Sequence, residues 1–390
     1  MTTAAELDAA DPLASFRDRF VIEDDLIAYF DGNSLGRLPL ATRDRLESFV
    51  REEWGRDLIR GWADRWVDLP TVVGDEVGAL MGAAAGQTIM ADSTSVSLYK
   101  LLHTAIDLRP GRSEIVVERA GFPTDRYLVE AVAKARGLDV TFVDDPTDLT
   151  QIVSERTVVV VLNHVDYRSG LLLDVATLTN QIHAAGALAL WDVCHSVGAL
   201  PIDLDGAGID LAVGCTYKYL NAGPGAPAFL YVAEQHLAAA RQPIEGWWSA
   251  ANLFAMGEQY EAAPSMRKML SGTPPVGGMI AVQEGARLTA EAGTEAIRTK
   301  SVALTSFALG LIEAHGLDTV TPRDAARRGG HVTIRHPQAR QVTAAATARG
   351  VLPDFREPDL IRLGLSPLST SFVEVEAGVA VLADVISSIG

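Results

Sequence analysis

The sequence predicts an α/β protein: a large domain on a mostly parallel seven-stranded sheet, followed by a smaller α+β C-terminal domain. Three observations predict it. Between about residues 75 and 235, helical periodicity alternates with short β-rich apolar runs. Several of these runs, TVVVVL and LAVGC among them, are apolar throughout, the mark of strands covered on both faces. The chain has 390 residues, more than the roughly 250–300 at which a single core stops growing.

The expected strands are Thr88–Ala91, Glu114–Glu118, Val140–Val143, Thr157–Leu162, Leu188–Trp191, Leu211–Val213 and Ala228–Val232. Glycine or proline punctuates most of their exits. Residues 276–315 read as two helical runs, the second over Glu295–Ala314. Beyond them the texture changes to short strands in HVTIRH and LIRLGL with helices over Gln338–Arg349 and Val373–Ser388. The expected division is an N-terminal segment, 1–50, packing on both lobes, a large domain, 51–315, and a small domain, 316–390. A cleft between lobes is where a small-molecule site is expected.

Composition narrows the classes. A net charge of −17 repels nucleic acid and anionic membranes. The two cysteines, Cys194 and Cys215, form neither a disulfide scaffold nor a zinc motif and read as buried free thiols. No apolar run reaches the roughly 18 residues of a membrane span, and the start, MTTAAELDAADP, lacks an apolar signal core. These features fit a cytoplasmic enzyme acting on a small molecule.

Five segments carry chemistry. In GCTYKYLNAGPG, Lys218 lies between Tyr217 and Tyr219. Partial desolvation there favours the neutral, nucleophilic amine, and the following glycines let the backbone pass close to a ligand. In WDVCHS, Asp192 ends an apolar strand and His195 follows three residues on; a carboxylate at the C-terminal end of a parallel strand faces the site crevice. In ADSTSVSLYK, Thr94 and Ser95 open a helix after a strand exit, where hydroxyls and free amides bind anions. In GFPTDRY, Phe122 offers a face for stacking and Asp125 a polar contact. In LIRLGL, Arg362 needs a carboxylate partner, either a substrate's or the protein's own. Alone, Asp192 and the serines read as helix caps, FPTD as a turn, and YKY as packing. Together they match pyridoxal 5′-phosphate (PLP), which needs a lysine for its aldehyde, a carboxylate for its ring nitrogen, an aromatic face and a phosphate seat.

These motifs, in this order, resemble the kynureninase family over nearly the whole chain. The resemblance runs from FDGNSLGRLP through ADSTSVSLYK, FPTD, HVDYRSG, WDVCHSVGALPIDL and YKYLNAGPG to GWW, TPP and RGVLPDFREPDLIRLGLSPL. It implies the PLP-dependent transferase-like fold. It also implies hydrolysis of kynurenine or 3-hydroxykynurenine to alanine and an anthranilate, in tryptophan catabolism. By this resemblance Lys218 carries PLP covalently, Asp192 pairs with the ring nitrogen, Phe122 stacks on the ring and Asp125 and His195 contact the cofactor. Thr94, Ser95 and Tyr217 bind near the phosphate, and Tyr217 is a candidate general acid. Trp247 and Thr273 contact PLP from the lobe junction or the partner subunit of a homodimer, and Arg362 clamps the substrate carboxylate. The chain departs from the family at Ser97, at Ser249-Ala250 and at Ser369. A sister PLP enzyme, acting on a modified kynurenine or as a desulfurase or β-lyase, would share the same cofactor set.

Overall fold

The computed structural model describes residues 3–22 and 25–389. All seven expected strands are present, each within a residue of its expected ends. They form one sheet in the order Thr88–Met90, Phe229–Val232, Leu211–Gly214, Leu188–Asp192, Thr157–Asn163, Glu114–Glu118, Asp139–Val143. The last five named pair in parallel, while Phe229–Val232 runs antiparallel to both of its neighbours. The reason is apolar burial on both faces: Val158, Val160 and Leu162, like their alternating neighbours Val159 and Val161, are essentially inaccessible. Only the edge strand Asp139–Val143 is partly exposed. One face packs on helices Leu69–Ala79, Val175–Ala184 and Val276–Ala292, the other on Thr94–Leu108 and Pro123–Arg136.

The two helical runs that the sequence places at 276–315 are the helices Val276–Ala292 and Thr294–Ala314, and Gly293, with φ 80°, ends the first and opens the second. Beyond it lies a four-stranded antiparallel sheet, in the order Asp354–Arg356, Leu360–Gly364, His331–Arg335, Asp318–Thr319. Helices Ala339–Ala348 and Phe372–Ile389 cover it.

Two parts of the N-terminal region escape periodicity. Phe49–Asp57 and Trp62–Trp66 are wide helical turns with five-residue hydrogen bonds, such as Val67 N–H to the Trp62 carbonyl at 3.3 Å. Ala28–Tyr29 adds a parallel pair to Val351–Leu352 in the small sheet's region. From there the GNSLG segment crosses to the lysine loop, where the Gly36 N–H donates to the Tyr217 carbonyl at 2.8 Å. A Cβ on Gly36 would stand 2.4 Å from the Lys218 carbonyl oxygen, so only glycine allows this approach. The segment is tied back to helix Phe372–Ile389 through Glu374, which accepts from Arg37 at 2.7 Å, Arg17 at 2.8 Å and the Tyr29 N–H at 2.9 Å. No helix of the described residues is long and apolar enough to cross a membrane.

Candidate active site

The parallel strands end at one rim, and the chemically active side chains stand on it. Asp192 ends its strand, and Asn163 is its partner in register on the next strand. Lys218 and Tyr217 follow the strand Leu211–Gly214, and Phe122 caps the helix Pro123–Arg136. Thr94 and Ser95 open the helix Thr94–Leu108. With Asp125 and His195 they line one cleft that opens to solvent. Thus Thr94, Ser95, Phe122, Asp125, Asp192, His195, Tyr217 and Lys218 come together on one chain, as the sequence analysis expects.

The amine of Lys218 lies 3.0 Å from His195 Nε2 and 6.0 Å from the centre of the Phe122 ring. The same Nε2 is 3.2 Å from the Asn33 carbonyl. A nitrogen that accepts from the lysine cannot donate to that carbonyl, so the lysine's proton and the histidine's tautomer are linked. Burial, then the lysine's charge, holds the His195 imidazole well below its usual titration range. Asp192 accepts at Oδ1 from the Cys194 N–H at 2.7 Å, and among the described residues nothing donates to its other oxygen. Burial, then the neighbouring thiols, raises the Tyr217 phenol above its ordinary value, so its proton stays on oxygen near neutral pH. The cysteines are buried free thiols, and the Cys215 N–H donates to Cys194 Sγ at 3.2 Å.

Asn163 was not singled out by sequence reasoning. Its Oδ1 accepts from the Phe122 N–H at 2.6 Å and its Nδ2 donates to Asp125 at 2.7 Å, so one amide sets both the stacking ring and the carboxyl. The signal was available, since Asn163 ends the strand TVVVVLN one position beyond the apolar run. Burial, then the charge of Asp192, pushes the Asp125 carboxyl well above the usual carboxylate range. Behind them Glu118 ends its own strand and is pushed up to about 7, chiefly by burial and next by Asp166.

Three expected residues stand apart from the cleft. Trp247 and Thr273 are exposed and line no part of it within one chain. Arg362 is fully buried; it pairs with Asp354 across neighbouring strands and donates to the Tyr167 carbonyl and to Ser34 Oγ, both at 2.7 Å. Its Nε has no partner. Of the departures, Ser97 bonds the Ala91 carbonyl at 3.1 Å, and Ser249 bonds the Gly246 carbonyl at 2.8 Å and Tyr260 at 3.0 Å. Neither they, nor Ala250, nor Ser369 lines the cleft.

The residues present fit PLP. The helix Thr94–Leu108 points its N-terminal hydroxyls at the cleft, a seat for a phosphate. The free oxygen of Asp192 suits a protonated ring nitrogen, Phe122 suits the ring face, and Lys218 suits an aldehyde.

Solved structures share this architecture. A cysteine desulfurase from Thermococcus onnurineus superposes with a TM-score of 0.84 at 17% identity, covering 96% of this chain and 98% of that one. A cysteine desulfurase from Escherichia coli gives 0.81 at 18% identity, over 96% and 98%. Fold and cleft together define the large class of PLP-dependent enzymes of the aspartate-aminotransferase type. Within that class, residues 297–382 match the Kynureninase C-terminal domain. The kynureninase of Pseudomonas fluorescens is 41% identical over 97% of this chain and 94% of its own length. That of Burkholderia pseudomallei K96243 is 41% identical over 99% and 95%. The chain belongs to the kynureninase family.

The position of Glu118 predicts a pH effect. The folded side chain takes up its proton near 7 and the free side chain near 4.5. Between these values the folded chain holds more proton than the unfolded one, so this group lowers stability as pH rises. Glu118→Gln should remove a decline of roughly 3 kcal/mol across that window, read by denaturant unfolding at several pH values. Parallel pH profiles for the two proteins would contradict the assignment.

Proposed function

We propose that this protein is a PLP-dependent hydrolase that cleaves L-kynurenine or 3-hydroxy-L-kynurenine to L-alanine and anthranilate or 3-hydroxyanthranilate. The observation that carries the reading is the meeting of Lys218, Asp192, Phe122 and the Thr94–Ser95 helix start in one cleft of a kynureninase-family chain. The likeness to desulfurases, at 17–18% identity, reaches the fold alone.

When bound, PLP withdraws electrons from the substrate's amino-bearing carbon and so eases the making and breaking of bonds beside it. Lys218 would hold the cofactor through its amine, and the same amine is placed to move the proton at the substrate's Cα. Asp192 would pair with the ring nitrogen and keep it protonated, and Phe122 and neutral His195 would contact the cofactor. Water supplies the oxygen that ends in the anthranilate carboxyl group as the Cβ–Cγ bond breaks. Tyr217, whose phenol keeps its proton, donates toward the departing side of the substrate. Arg362 takes the substrate carboxylate; its unpartnered Nε and its planar fork support this, with Asp354 as the group that holds it meanwhile.

The working unit in this reading is a homodimer. A run of ring contacts joins Phe49, Trp66, Trp62, Trp248, Trp247 and Phe254 at centroid distances of 4.7 to 6.4 Å. Around it Val50, Trp54, Leu58, Ile59, Phe254 and Met256 are each more than half exposed. An apolar surface of this kind marks an interaction site, and in this reading a second copy covers it and takes Trp247 and Thr273 to its own cleft. A cytoplasmic location belongs to the same reading, supported by two neighbouring thiols that stand free.

The direct test incubates the purified holoenzyme with kynurenine and with 3-hydroxykynurenine and measures alanine. Release of alanine with equimolar anthranilate is expected. Failure on both compounds, with PLP bound, would overturn the substrate assignment. Sedimentation should show a dimer, and Trp54→Glu should shift it toward monomer with loss of activity. A fully active monomer would contradict the shared site.

A further inference from the structure

The loop before the helix Thr94–Leu108 holds an unexplained buried cation. Lys100, on the second turn of that helix, is fully buried. Its Nζ donates to the Asp92 carboxylate at 2.6 Å and to the Met269 carbonyl at 2.7 Å. Removing an ammonium from water costs several kcal/mol, and an apolar side chain would fill such a slot at less cost. The fold alone therefore does not account for Lys100.

Its partner is unusual as well. Asp92 has φ 46°, a left-handed conformation that few residues other than glycine adopt. It stands directly before Ser93, the N-cap, and two residues before Thr94 in the cleft. The Asp92 backbone is pinned from the other side, where the Ala228 N–H donates to its carbonyl at 3.0 Å. Asp92 is also an acidic group beside a seat for an anion. Left unpaired, its partly exposed carboxylate would add a negative charge to the loop that carries the seat.

We propose that Lys100 is a positioning residue for the cofactor's phosphate. By pairing with Asp92 it holds the loop Asp92–Ser95 in the shape of an anion seat and cancels the negative charge next to that seat. The bond to Met269 ties the seat to the turn Met266–Met269, four residues before Thr273. The inference rests on the reading that Thr94 and Ser95 receive the phosphate.

The experiment compares dissociation constants for PLP and for pyridoxal, which lacks the phosphate, in the apoprotein of the wild type and of each variant. Lys100→Met should weaken PLP by about tenfold or more and pyridoxal by less than about twofold. Lys100→Met combined with Asp92→Asn should recover at least half of that loss, because the amide carries no charge. Equal losses for both ligands, or no recovery in the double variant, would show Lys100 to be a packing element and overturn the proposal. Thr94→Val is the separate control. If it fails to discriminate between the two ligands, the phosphate reading falls, whatever Lys100 does. If Lys100→Met does not fold, Asp92→Asn alone decides: it should leave PLP binding equal or tighter, and a tenfold weakening would refute the charge argument.

Discussion

The site depends on bringing one amine to the carboxyl rim of a sheet that is dry on both faces. Lys218 reaches that rim because the strand Leu211–Gly214 delivers it and because Gly36 lets a second segment press against its carbonyl. Everything else in the cleft answers the amine. His195 receives it at 3.0 Å, Phe122 lies over it, and Asp192 stands beside it on the neighbouring strand. The buried strands form the base on which these side chains stand.

That arrangement crowds carboxyl groups. Asp192 and Glu118 end the strands on either side of Thr157–Asn163, Asp125 stands in the first turn of the helix Pro123–Arg136, and burial raises Asp125 and Glu118. Asn163 separates them, with its amide nitrogen on Asp125, its amide oxygen on Phe122 and its backbone N–H toward Glu118 at 3.5 Å. Near the phosphate seat the crowding is resolved by a cation, Lys100, instead. One oxygen of Asp192 accepts no hydrogen bond among the described residues, where a protonated ring would want it.

Much of this was legible in the sequence because it depends on local pattern. The buried strands announce themselves as unbroken apolar runs, and TYKY, WDVCHS and ADSTS sit at their ends. What was not legible depends on pairs distant in sequence or hidden by composition. The partner of Arg362 is Asp354, set opposite it by strand register rather than by spacing along the chain. Asn163 stands just beyond an apolar run, but its ties to Phe122 and Asp125 are set by the fold and not by spacing along the chain. The wide turns at Phe49–Asp57 and Trp62–Trp66 lack the 3.6-residue period that marks a helix. Ser249-Ala250, a departure from the family pattern, lies off the cleft of its own chain, in a turn that Trp248 anchors in the core.

The central claim is that Lys218 carries the cofactor. Borohydride reduction of the purified holoenzyme, followed by peptide mapping, tests it most directly. The account predicts a single pyridoxyl adduct on the peptide containing Tyr217-Lys218-Tyr219, and none after Lys218→Ala. An adduct on another lysine, or a protein that binds no PLP, would contradict it.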